Sequence, residues 1–214
     1  MSEENVPAPA TVPFVTTEHF VLQGARAVTI AESTGRATMF LASVSGGLIA
    51  LGLVATASRV GTAFYSFGLV LLPTLAFVGF VTFERVLQSA MDDLGLARRI
   101  ALLRTYYFDN APDLASYLVR VTPSERLRAQ GVMAGGRQAL RTVAGMIGVI
   151  TAVLAGSAAA LIGLLVSDHS LAAAVISGAV VAIGGSVWLI TYQWSVLKRV
   201  ANTPLITDES EGPA

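Results

Sequence analysis

Cysteine is absent from the 214 residues. Its absence excludes disulfides, thiol nucleophiles and thiolate metal sites together. Charge is scarce: Asp, Glu, Lys and Arg make up 13% of the chain, about half the share in an ordinary soluble domain. The charge present also cancels, with fourteen basic and fourteen acidic side chains. A nucleic-acid partner, which selects for a basic excess, is therefore not expected. Histidine occurs twice, at His19 and His169. Glycine is common, but Gly24-Ala25-Arg26 and Gly135-Gly136-Arg137 lack the flanking strand and spacing of a phosphate-binding loop.

What the chain has in place of charge is long apolar runs. Ala37 to Ser58, Val60 to Phe83, Thr142 to Ser167 and Ser170 to Leu197 contain no Asp, Glu, Lys, Arg or His, over 22, 24, 26 and 28 residues. A bilayer core of about 30 Å needs about 20 helical residues, so each run suffices for one span. Ser58-Arg59-Val60-Gly61 separates the first two and Asp168-His169 the last two, each short enough to force an antiparallel return. The expected fold is all-α and polytopic: two transmembrane helical hairpins, four spans in all, joined by a cytoplasmic helical segment.

The expected organisation follows these boundaries. Residues 1–15, with Pro7, Pro9 and Pro13, read as an extended tail. Residues 16–36 read as a juxtamembrane helix capped by Thr16 or Thr17, lying on lipid headgroups or on a partner helix. Residues 37–83 form the first hairpin, 84–141 the cytoplasmic block, 142–197 the second hairpin, and 198–214 a polar tail. Within the block, Leu87, Met91, Leu94, Ala97 and Ala101 make an apolar helical stripe. Asn110 and the Thr122-Pro123-Ser124-Glu125 capping box mark further helix starts. Asp92-Asp93 read as a solvated face, since adjacent carboxylates on a helix diverge.

Orientation comes from the basic residues. Four spans put both termini and residues 84–141 on one side, with 13 of the 14 Lys/Arg; the other side has Arg59 alone. Basic residues stay on the cytoplasmic face, so both termini are expected inside, in the inner (plasma) membrane. His19 and His169 then lie on opposite sides and cannot share a metal site or a triad.

Packing between spans is expected to rest on small residues, because lipid is as apolar as leucine and burial cannot drive association. Ala144, Gly148, Ala152, Gly156 and Ala160 recur every fourth position in the third span, and Ala174, Gly178, Ala182 and Ser186 in the fourth. These ridges are expected to face one another. Ala42, Gly46 and Ala50 form a similar row in the first span. Pro73, in mid-span, predicts a kink or hinge, with Thr74 re-satisfying a freed carbonyl. Trp188, Tyr192 and Trp194 read as an interfacial belt.

No Asp, Glu, Lys, Arg or His lies in any span, which counts against ion-coupled transport. The hydroxyls at depth, Ser43, Ser45, Thr56, Thr74, Thr151, Ser157 and Ser177, are expected to bond their own helices. No catalytic, cofactor or metal residue can be nominated.

Thr17-Glu18-His19-Phe20, Glu32-Ser33-Thr34-Gly35-Arg36-Ala37 and Arg104-Thr105-Tyr106-Tyr107-Phe108 carry a resemblance. The chain resembles a group of uncharacterised small four-span integral membrane proteins of actinobacteria. The resemblance implies a bacterial inner-membrane location and brings no catalytic residue. The expected function is a non-enzymatic membrane protein. It anchors a cytoplasmic helical module that self-associates or binds a cytoplasmic protein, with the lipid bilayer as its other partner. The alternative is an oligomeric channel for ions or small polar solutes.

Overall fold

The computed structural model describes residues 11–110, 142–167 and 170–203. They form four helices: α1 (Thr11–Ser58), α2 (Thr62–Asn110), α3 (Val143–Val166) and α4 (Leu171–Asn202). All four are long and apolar enough to cross a membrane.

The helices stand side by side in chain order, each paired mainly with the next. On the α1–α2 face, Arg26 meets Asp93, Gly79 meets Phe40, and Gly47 meets Leu71 and Leu75. On the α2–α3 face, Gly68 meets Leu161, Gly79 meets Thr151, and Phe83 meets Gly148. On the α3–α4 face, Gly156 meets Gly178 and Ala182, and Gly185 meets Ala152. In every pair one number rises as the other falls, so neighbours run antiparallel at fixed register. The core runs down this row through Phe40, Leu72, Phe83, Leu87, Ile147 and Leu189.

The register aligns the uncharged runs into one slab. In α1 it covers Ala37 to Ser58, 22 residues, about 33 Å at 1.5 Å per residue. That matches a hydrocarbon core of about 30 Å. Around it, Met39, Ile49, Leu53, Val70, Phe77, Val175 and Ile183 point outward. So many large apolar side chains on one outer surface suit lipid as the surrounding solvent. The structure is that of a multi-pass membrane protein.

Beyond the slab α1 and α2 continue together as an arm. Val15 and Leu22 of α1 and Val86, Leu94, Ala97 and Ile100 of α2 are buried there. The apolar stripe of the sequence is thus the inner face of α2, and residues 16–36 pack on α2 rather than lie in a separate element.

Helix ends differ from the sequence expectation in three places. The first helix is already formed at Thr11, ahead of a Thr16 or Thr17 cap, and Thr17 Oγ1 donates to Pro13 O at 2.9 Å inside it. Proline is tolerated this near a helix start, where the N–H it lacks would have no partner. The last helix continues past Leu197 to Asn202, through Lys198 and Arg199. Cations in a last turn favour the helix dipole, so they extend the helix instead of ending it. The third helix has its own N-cap: Thr142 Oγ1 accepts from Gly145 N at 3.0 Å. The Thr122 capping box, the turn at Asp168-His169 and the tail beyond Thr203 lie outside the described residues.

The first return is tight. Gly61 N donates to Ser58 O at 2.9 Å and Val60 N to Ala55 O at 3.0 Å. Arg59 and Val60 take positive φ, 48° and 57°. For a β-branched residue that conformation is strained.

Candidate functional site

The charged end of the bundle is the candidate site. It contains every acidic and basic side chain of the described residues except Arg59. Two polar links build it. Arg26 of α1 grips Asp93 of α2 with two bonds, Nε to Oδ1 at 2.6 Å and Nη2 to Oδ2 at 3.1 Å. Both side chains are only 20% exposed. Such a two-pronged pair fixes register as well as energy. It corrects the reading of Asp92-Asp93 as a solvated face: Asp92 is exposed, but Asp93 lies one helical step round, at the seam with α1. The second link is Arg98 of α2, which donates to Val200 O at 2.8 Å and Thr203 O at 2.5 Å. It caps carbonyls at the end of α4 and ties that end to the arm.

His19 sits half-buried on the arm. Burial, and secondly the nearby Arg104 charge, hold its pKa below 6.5. Glu32 and Arg36 pair along α1 at 2.7 Å, half-exposed and worth little by themselves. Tyr106 is half-buried; the side chains of Tyr107 and Phe108 lie outside the description.

Where arm meets slab lies a row of rings. Trp188 stacks on Tyr192 with centroids 5.9 Å apart and on Phe80 at 6.4 Å, and Tyr192 tilts against Phe83 at 6.5 Å. Lys198 Nζ lies 5.3 Å from the Trp194 ring. These amphipathic rings at the level where charge begins suit a headgroup boundary.

The small residues named from sequence fall on two faces. A Cβ on Gly156 would come within 2.6 Å of Gly178 O and 2.7 Å of Ala182 Cβ, and one on Gly178 within 2.9 Å of Ala160 Cβ. These four make the close α3–α4 crossing, while Ala152 packs near Gly185 and Ala174 is buried higher up. Gly148 turns instead between Phe83 of α2 and Leu189 of α4, and Ala144 is buried beside it. In α1 the row is rotated from its expected use. Ala42 and Gly46 face outward, and Gly47 is the residue against α2.

Pro73 lies on the outer surface of α2, which stays helical through it. Its missing N–H frees Leu69 O, but Thr74 Oγ1 donates to Val70 O at 2.7 Å. The helical i−4 reach of a hydroxyl ends one carbonyl short of the freed one, so Thr74 does not re-satisfy it.

Among the other hydroxyls, Ser43, Thr56 and Ser157 bond the carbonyl four residues back. Ser177 bonds its own helix at Ala174 O and also Ala159 O of α3. Thr151 Oγ1 is buried against Gly79 without a partner.

Sequence reading passed over Gln193, although it is the one amide side chain in the four uncharged runs. It is 1% exposed, its Nε2 donates to Thr142 Oγ1 at 2.8 Å, and its Oε1 has no partner. It pins the start of α3 to α4. Among the described residues no three His, Asp or Glu side chains gather as a metal site would require.

No family model, no curated protein and no solved structure matches the chain.

Proposed function

We propose that this chain is a non-enzymatic protein of the inner (plasma) membrane, with both termini cytoplasmic. Two membrane hairpins hold a cytoplasmic helical module that binds itself or a protein partner. The observation that supports this reading best is the arm. Two membrane-crossing helices continue beyond the slab as one packed, ion-paired unit, about 39 Å long in α1 for residues 11–36. A lipid anchor alone needs no such extension. The basic count agrees with the orientation, since all the Lys/Arg of the described residues except Arg59 fall on the arm's side of the slab. The resemblance to actinobacterial membrane proteins agrees with the location.

Purification of the full chain in mild detergent, with particle mass read by light scattering, tests the reading. A complex, of this chain with itself or with a retained protein, is expected. A bare monomer from every mild extraction contradicts it. The channel reading would need its path between copies, because within one chain Leu161, Phe40 and Phe83 fill the space at Gly68, Gly79 and Gly148.

A further inference from the structure

The face of α1 turned away from α2 is an unbroken neutral seam. Phe14, Thr17, Val21, Gly24, Val28, Ala31, Gly35, Thr38, Ala42, Ser45, Ile49 and Gly52 recur at alternating steps of three and four. All are exposed except Gly35, which is half-exposed, and Gly24, Gly35 and Gly52 have open space where a side chain would stand. The charged residues of the same helix, Glu18, Arg26, Glu32 and Arg36, all fall off the seam.

Lipid accounts for only part of this face. Val28, Val21 and Phe14 precede Ala37 by 9, 16 and 23 residues. At 1.5 Å per residue they stand about 14, 24 and 35 Å beyond the slab, whereas headgroups add only about 5–8 Å per leaflet. A tilt of about 40° still leaves them outside. Yet they are 67%, 58% and 73% exposed. Phe and Val at seven-residue spacing in water, with Thr17, Gly24 and Ala31 between them, present one strand of a coiled coil whose partner is not among the described residues.

We propose that the missing strand is α1 of a second copy of this chain, packed parallel along the seam from Phe14 into the membrane. This rests on the interaction-module reading and names its partner. Three features favour a second copy. The occupant must match an aqueous stretch and a membrane stretch on one continuous helix, and a copy inserted the same way presents both at the same height. A two-fold axis along the seam makes the contact self-complementary and closed. In a parallel pair the flanking Glu18 and Glu32 positions face neutral ones, Pro13, Phe20, Ala27 and Thr34, so like charges do not meet. Inside the slab the seam becomes mostly small, with Thr38, Ala42, Ser45 and Gly52 beside Ile49, which lets backbones approach where burial from water no longer helps.

The lack of native cysteine makes the test clean. Single variants Val21→Cys, Val28→Cys and Ile49→Cys are oxidised in native membranes, beside Phe77→Cys on α2 and Ile183→Cys on α4 as outward controls. Homodimer bands are expected from the first three and not from the controls. Adding Val21→Glu and Val28→Glu to Ile49→Cys should lower its cross-linked yield about tenfold, because charges then meet at seam positions. Cross-links at Phe77→Cys or Ile183→Cys without those at Val21→Cys overturn the seam but leave self-association standing. A Val21→Cys band containing a different protein overturns the second copy and leaves the module reading. No cross-link at any position, with a monomeric mass, overturns both.

Discussion

Two stretches of the same α1–α2 pair solve the same packing problem with different residues. In the slab, the helices meet through Gly47 against Leu71 and Leu75, and Gly79 against Phe40. In the arm, they meet through Leu22, Leu94, Ala97 and Ile100, with Arg26 locked to Asp93. The solvent outside explains the change. In water, burying leucine drives association, and an ion pair at the seam adds register. In lipid, burial gains nothing, so close fit has to do that work, and glycine is what permits it. The difference teaches that a steric change should hurt most in the slab and a charge change most in the arm.

The largest expected effect is therefore steric. Gly156→Leu at the α3–α4 crossing drives side-chain atoms into Gly178 O and Ala182. We expect it to destabilise the fold by about 3 kcal/mol or more. Thermal unfolding in detergent would register this as a large loss of melting temperature. An unchanged melt would mean that the crossing is not a close one.

Next comes charge in the arm. Asp93→Ala leaves Arg26 half-buried without its carboxylate and should cost the arm about 2 kcal/mol. Hydrogen exchange is the discriminating readout, with protection falling in residues 11–36 and 84–104 and holding in 143–166. Equal loss in both would erase the distinction between the two regions.

A smaller effect of opposite sign is expected inside the slab. Thr151→Val replaces a buried hydroxyl that has no partner with a near-isosteric methyl. Stability should rise by about 1 kcal/mol. A fall of that size would show that the hydroxyl is bonded.

The smallest concerns pH. His19 is held below its ordinary pKa by burial and by Arg104. The unfolded chain then takes up the proton first as pH falls, so the arm loses stability below about 6.5 and is unaffected above it. His19→Gln should flatten that dependence in arm exchange rates. If the wild-type arm held equally firm at pH 5 and pH 8, the histidine would not be coupled to it.

Much of the architecture was legible in the sequence, because lipid imposes a length and a charge rule that four uncharged runs obey openly. The apolar stripe at Leu87, Leu94 and Ala97 was legible for the same periodic reason. Side-chain pairing was not. Nothing in the local sequence distinguishes Asp93 from Asp92, since what separates them is the phase of α2 relative to a helix 67 residues earlier. The row Ala42, Gly46 and Ala50 misled because small residues abound in α1, and the contact phase is set by Gly47 and Phe40 on the neighbouring face. Gln193 could have been found from composition alone, as the one amide in the spans. The helical stretch ahead of Thr16 was missed because Pro13 reads as a breaker, although Pro13 lies within α1.

The most direct test of the central claim, a lipid-embedded slab with the arm inside the cell, is thiol labelling with a membrane-impermeant reagent on a chain that has no cysteine of its own. The account predicts that Arg59→Cys reacts in intact cells, that Glu18→Cys reacts only once the membrane is opened, and that Phe77→Cys reacts in neither. Labelling of Glu18→Cys in intact cells, or of Phe77→Cys in both, would contradict it.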